Sequence, residues 1–213
     1  MKSTRLLIIS FIALAIPLLA LFFMRDLIFK GVVATYEEAA LNQQEYRDMW
    51  ISYEVIACLG EYAEETETQY FIPTGHEYYY LVWMADGSIM PLSVSRKADK
   101  EYLDALTEAT YDYIDEKTQM IEMEPRTFIG TVTNQKSEAK EYYDEALEYM
   151  ETTEANGWTI RYAILDCTSS RGGTIALVLA CFLIPGLGFV TYFTTRKNES
   201  KKKLTEEETY LPR

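Results

Sequence analysis

The stretch Gly75–Val94, GHEYYYLVWMADGSIMPLSV, decides how the middle of the chain folds. Asp86-Gly87 lies between two apolar runs. This is a strong hairpin signal, because a two-residue type I′ turn needs positive φ at both central positions. Such a turn pairs Met84 with Ile89, Trp83 with Met90, Leu81 with Leu92 and Tyr79 with Val94. Side chains alternate across a strand. Tyr79, Leu81, Trp83, Met90, Leu92 and Val94 then form an apolar inner face. Tyr78, Tyr80, Val82, Met84, Ile89, Pro91, Ser93 and Ser95 form a mixed outer one. Pro91 has no N–H to donate, which predicts an edge or a bulge there.

Outward from the hairpin, Trp50–Glu61 alternates as a strand with Ile51, Tyr53, Val55, Ala57 and Leu59 on one side. Tyr62–His76 is acidic, ends in Pro-Thr-Gly and reads as a loop. Residues 35–48 read as a short helix or a linker. Arg96–Thr118 is a helix with a stripe of Tyr102, Leu103, Leu106, Ala109, Tyr113 and Ile114. Arg126–Thr133 is a β-branched strand. A second helix, capped by Ser137 and stopped at Asn156-Gly157, turns Ala139, Tyr142, Tyr143, Ala146, Leu147 and Met150 to one side. Trp158–Cys167 is the last strand. Lys100-Glu101-Tyr102 with Asp104 recurs forty residues later as Lys140-Glu141-Tyr142 with Asp144, either a duplicated unit or two helices of like composition. The expected fold class is α+β, an antiparallel-rich sheet of about five strands with two helices on one face.

Two charge-free segments flank this domain: Leu6–Met24 and Thr174–Phe193. Each is long enough to cross a hydrocarbon layer of roughly 30 Å as a helix. The first exceeds the apolar core of a cleaved signal peptide, so an uncleaved anchor is expected over that alternative. Arg196, Lys197 and Lys201–Lys203 after the second span, and Lys2 and Arg5 before the first, place both termini in the cytoplasm. The expected organisation is a cytoplasmic start (1–5), a span (6–24), a linker (25–49), an extracytoplasmic domain (50–167), a hinge (168–173), a span (174–193) and a cytoplasmic tail (194–213). The whole chain carries −13, and residues 25–173 carry 12 Lys and Arg against 29 Asp and Glu, a net of −17. That balance argues against nucleic acid, whose phosphates need clustered cations, and predicts repulsion from anionic lipid.

Cys181 falls inside the second span; Cys58 and Cys167 lie in the domain, where a disulfide is chemically allowed but not established by spacing. His76 is the single histidine and reads as a solvated loop residue, since a catalytic imidazole needs an orienting carboxylate and a nucleophile. The acidic runs at Glu64, Glu65 and Glu67 and at Asp115, Glu116, Glu122 and Glu124 lack the spacing of a calcium loop. No catalytic residue, metal site or cofactor is expected. Fifteen of the seventeen tyrosines lie in residues 25–173, between the two spans, and tyrosine suits interfaces. Tyr78 and Tyr80 on the mixed face, with Trp50, are therefore the candidate binding residues, against ordinary packing under a helix. In the second span Gly172, Ala176 and Ala180 form a small-residue ridge that suits close packing of the two spans or of two copies.

Tyr79-Tyr80-Leu81 with Asp86-Gly87, the strand Thr127–Val132 and the strand Ile164–Cys167 resemble uncharacterised two-pass membrane-protein families of Gram-positive bacteria. The resemblance spans most of the chain and implies no activity and no functional residues. The expected partners are the lipid bilayer and a protein, or a second copy. The expected role is a membrane-anchored extracytoplasmic domain that binds a protein, peptide or envelope component. The alternative is a structural or accessory subunit of a membrane complex, and an enzyme of unrecognised type stands third.

Overall fold

The computed structural model describes residues 2–69 and 72–209; Met1, residues 70–71 and the end of the tail at 210–213 lie outside the described residues. In chain order the elements are α1 (Lys2–Phe23), α2 (Arg25–Phe29), β1 (Val32–Thr35), α3 (Tyr36–Leu41), β2 (Trp50–Val55), β3 (Ala57–Gln69), β4 (Ile72–Trp83), β5 (Ser88–Val94), α4 (Lys97–Ile114), β6 (Arg126–Asn134), α5 (Ser137–Tyr149), β7 (Thr159–Ile160), β8 (Ala163–Asp166) and α6 (Arg171–Thr209). They divide into a helical unit, Met1–Ile28 with Gly172–Arg213, and an α+β domain, Phe29–Arg171.

The hairpin forms where the sequence places it, but one residue out of register. Met84 N–H donates to Ser88 O at 2.8 Å and Gly87 N–H to Met84 O at 3.0 Å. Ala85-Asp86-Gly87 is thus a three-residue loop. Only Gly87 has positive φ, at 83°, as in a type I turn closed by a left-handed residue. The Asp86 carboxylate accepts from the Ser88 N–H (2.9 Å) and hydroxyl (2.5 Å) and fixes this form. The pairs become Trp83 with Ile89, Leu81 with Pro91, Tyr80 with Leu92 and Tyr79 with Ser93. A slip of one residue exchanges the faces of a strand. Tyr80, Val82, Met84, Met90, Leu92 and Val94 share a core with Leu103 and Leu106 of α4. Leu81 and Ile89 pack with Tyr143 and Leu147 of α5. The two helices therefore cover opposite faces of the hairpin, not one face, and every residue of β5 is buried.

The sheet has eight strands in the order β1-β2-β6-β8-β5-β4-β3, with β7 also on β5. It is mixed rather than purely antiparallel: β1 runs parallel to β2, and β7 and β8 run parallel to β5, while the other four pairings, the long ones, are antiparallel. β2 is second in this order and β3 is last, yet Ile56 alone separates them in the chain. Flat strands about 4.8 Å apart cannot satisfy that link, so the sheet curls until its ends approach. The phenol oxygen of Tyr53 in β2 accepts the Ala85 N–H at the hairpin tip (3.4 Å), a contact across the curl. β6 turns the corner: Arg126–Gly130 pair with β2 and Thr131–Asn134 with β8. At the handover a Cβ on Gly130 would lie 2.2 Å from the Asp166 carbonyl oxygen. Pro91 is not on an edge. It lies between the pairings of β5 with β7 and with β8, so its missing N–H falls at the gap around Arg161–Tyr162.

Other boundaries move too. The strand expected over Trp50–Glu61 splits at Ile56, and that over Trp158–Cys167 splits into β7 and β8. The expected loop Tyr62–His76 is a long antiparallel ribbon, described to Gln69 and from Ile72. α5 starts at Ser137 and is capped from Lys136, without a side-chain bond. Gly172 and Gly173, expected in a hinge, are already helical.

In the helical unit, α1 and α6 pack along one stripe each. Ser10, Leu14, Pro17 and Leu21 are covered on α1, with Met24 just past its end, as are Val178, Cys181, Pro185, Gly188 and Tyr192 on α6. Both runs alternate steps of four and three, the spacing of a coiled-coil seam. A Cβ on Gly188 would lie 2.1 Å from Ser10 Oγ, and Phe11 meets Phe189 edge to face at 5.1 Å. Gly172, Ala176 and Ala180 are exposed, off this seam, so the small-residue ridge is not what joins the two helices. Among the described residues Arg171–Lys202 is the one helix long and apolar enough to cross a membrane; the apolar stretch of α1, Leu7–Phe23, is shorter.

Gly130→Ala forces backbone apart at the β6 corner. It is expected to cost about 3 kcal/mol and to lower Tm by roughly 10 °C in thermal unfolding; an unchanged Tm would contradict the close approach.

Candidate functional site

The hairpin aromatics proposed for binding are mostly enclosed. Tyr80 is 0% exposed and Trp50 1%, so neither offers a surface to a partner. The Tyr80 hydroxyl donates to Asp104 Oδ1 at 2.6 Å. Burial first, and then that carboxylate, push its phenol pKa above the ordinary range. Tyr78 alone is partly open, and it too is engaged. Its ring stacks on His76 with centroids 6.0 Å apart, and Lys100 Nζ sits 4.7 Å from its centroid. Lys100 also binds Glu61 and lies 3.4 Å from Asp104. Burial draws its ammonium pKa down, but the hydrogen bonds and charges of Glu61 and Asp104 together outweigh this and the net shift is upward.

His76 Nδ1 lies 2.9 Å from Glu64 Oε1, both about half exposed. The imidazole has its carboxylate, but its remaining close polar contact is Thr66 Oγ1 at a long 3.4 Å, which gives no activated nucleophile. Cys58 and Cys167 are free, buried thiols rather than a disulfide. Burial pushes Cys58 up to about 11 and Cys167 higher still, so neither is a thiolate at neutral pH. Among the described residues no group of three or more His, Cys, Asp and Glu side chains can hold a metal ion.

The better candidate lies where the ends of the curled sheet approach. A cleft of about 480 Å³ is lined by Ile56 and Ala57 at the β2–β3 link, Trp83 and Met84 at the hairpin tip, Tyr113 near the end of α4, and the segment Gln119–Pro125. That segment is held by Ile121 and Met123, which pack on the main core, and by the Tyr102 hydroxyl, which donates to Glu124 O at 2.9 Å. Met120 projects from it with 65% of its surface exposed. Three methionines and two aromatics make an adaptable apolar lining. Its surroundings are acidic. Lys117 neutralises Asp112 and Asp115 at 2.9 and 3.0 Å. Glu116, Glu122 and Glu124 are exposed and make no ion pair among the described residues. The sequence carried a weak sign of this in Met120-Ile121-Glu122-Met123, apolar residues inside an acidic run. The curl that brings them to Ile56 and Trp83 is not a local signal.

Tyr80→Ala is expected to act as a core deletion, lowering unfolding free energy by about 3–5 kcal/mol. Tyr78→Ala should cost about 1 kcal/mol, the scale of an exposed cation–π contact. Denaturant titration of both variants separates them, and equal small losses would return Tyr80 to the surface.

No curated protein and no solved structure matches the chain. The family described as Domain of unknown function (DUF8577) matches residues 1–195, nearly the whole chain, and the protein belongs to that family.

Proposed function

We propose that this protein is a two-pass membrane-anchored binding module. Both termini lie in the cytoplasm, the α+β domain stands outside, and the cleft at Ile56, Trp83 and Met120 receives an apolar, basic segment of a peptide or protein. What supports two spans is the seam at Ser10 and Gly188. A helix that packs along α6 through its apolar stretch shares its surroundings, which favours α1 crossing together with α6. The basic flanks at Arg196, Lys197, Lys201 and Lys202 support the orientation. Charge complementarity supports the ligand class. A cleft with apolar walls and unpaired carboxylates around it favours cations on an apolar body, and a second copy of a domain carrying −17 would be repelled.

Two measurements test this reading. With the native cysteines replaced, a membrane-impermeant maleimide should label Glu116→Cys in intact cells and label Lys202→Cys only after permeabilisation; the reverse pattern would overturn the orientation. A Leu/Lys peptide should bind the full chain in neutral nanodiscs at least tenfold more tightly than a Leu/Ser peptide, and Met120→Asp should remove that advantage by blocking the apolar wall. Binding that ignores Met120→Asp would place the ligand elsewhere.

A further inference from the structure

The domain carries a second cleft, of about 250 Å³, with the opposite character. Its walls are Arg96 before α4, Asp99 in the first turn of α4, Arg126–Ile129 at the start of β6, and Cys167 with Ser169, Ser170 and Arg171 leading into α6. Three of the twelve cations in a region of net −17 converge here, against one carboxylate. That carboxylate is already committed: Arg126 Nη2 donates to Asp99 Oδ1 at 2.6 Å, and the Asp99 side chain is only 9% exposed. The pair is a rigid part of the wall. The Arg126 guanidinium is also set between Tyr102 and Phe128, 5.3 and 5.4 Å from their centroids. Arg96 and Arg171 are exposed.

Position gives the charge its meaning. Arg171 is the first residue of α6, and the uncharged run begins at Thr174. Three helical residues advance about 4.5 Å, so the guanidinium of Arg171 falls at headgroup depth when α6 crosses a bilayer. Arginine meets phosphate through paired N–H donors, and the hydroxyls of Thr127, Ser169 and Ser170 add neutral donors around the cleft. A space this small with three cations suits one phosphate group and not a nucleic-acid backbone.

We propose that the cleft formed by Arg96, the Arg126–Asp99 pair and Arg171 binds the phosphodiester of an anionic phospholipid headgroup. Arg96 and Arg171 contact the phosphate, and Arg126 is the fixed wall behind it. This makes the acidic domain locally attractive to the lipid that its net charge repels, at the point where its chain enters the membrane helix.

The test uses the full chain in neutral detergent, titrated by calorimetry with dihexanoyl-phosphatidylglycerol, dihexanoyl-phosphatidylcholine or inorganic phosphate. Phosphatidylglycerol should bind saturably, at least tenfold more tightly than the other two. Arg96→Ala with Arg171→Ala should weaken it at least tenfold, and Arg96→Lys with Arg171→Lys should fall between, since lysine keeps the charge without the paired donors. Lys201→Ala with Lys202→Ala, in the tail, should leave it within twofold. Unchanged thermal unfolding of the arginine variants separates lost binding from lost folding. Should they unfold, Thr127→Glu, which puts a carboxylate on the exposed wall instead, must show the same loss. Equal affinity in native and variant chains would overturn the proposal, as would a loss confined to the tail variant. Inorganic phosphate binding as tightly as the lipid would overturn the lipid as its source.

Discussion

One residue, Ile56, sets the shape of the domain. It joins the second strand of the sheet order to the last, and that link holds only if the sheet curls. Curling gives the sheet an inside and an outside. α4 fills the inside with Leu103 and Leu106 against Tyr80, Val82 and Leu92, while α5 covers the outside with Tyr143 and Leu147 against Leu81 and Ile89. Among the described residues no ladder joins β3 to β1 or β2, so the curl stays open along one seam. Ile121 and Met123 plug the seam, and the apolar cleft is what they leave unfilled. The same geometry demands a glycine where β6 passes from β2 to β8.

Much of this was legible in local periodicity. α4, α5 and β6 fall close to their expected bounds because amphipathic spacing and β-branched content act within a few residues. Asp86-Gly87 announced its turn but not the loop length. The same dipeptide serves a two-residue and a three-residue loop, and the φ of Asp86, positive in the first and not positive here, tells them apart. The extra loop residue reversed the assignment of the β4 side chains: Tyr80, Val82 and Met84, not Tyr79, Leu81 and Trp83, share the main core with Met90, Leu92 and Val94. It also explains why Tyr78 and Tyr80 looked like an outer face: α4 comes from elsewhere in the sequence to cover them. The acidic ribbon read as a loop because glutamates on a strand need neutralisation from outside it. The fold supplies that through Lys100 on Glu61 and Lys136 on Glu65 and Glu77. Hydrogen bonding to Lys136 holds the Glu65 carboxyl below its usual range.

Electrostatics then divide the domain's surface. Unpaired carboxylates gather beside an apolar cleft, and arginines gather where the chain enters α6. The net charge of −17 conceals this division, which appears only when the ends of α4 are considered separately: Arg96 and Asp99 at its start, Tyr113 and Glu116 at its finish.

Both proposals depend on the domain being carried by a paired helical anchor, with α1 alongside α6. With Cys58, Cys167 and Cys181 replaced by Ser, Ser10→Cys and Gly188→Cys should form a disulfide on mild oxidation in native membranes. After cleavage at a protease site placed beside Lys117, the two halves should then stay joined until reductant is added. Halves that separate without reductant, with both thiols still open to alkylation, would contradict the paired anchor.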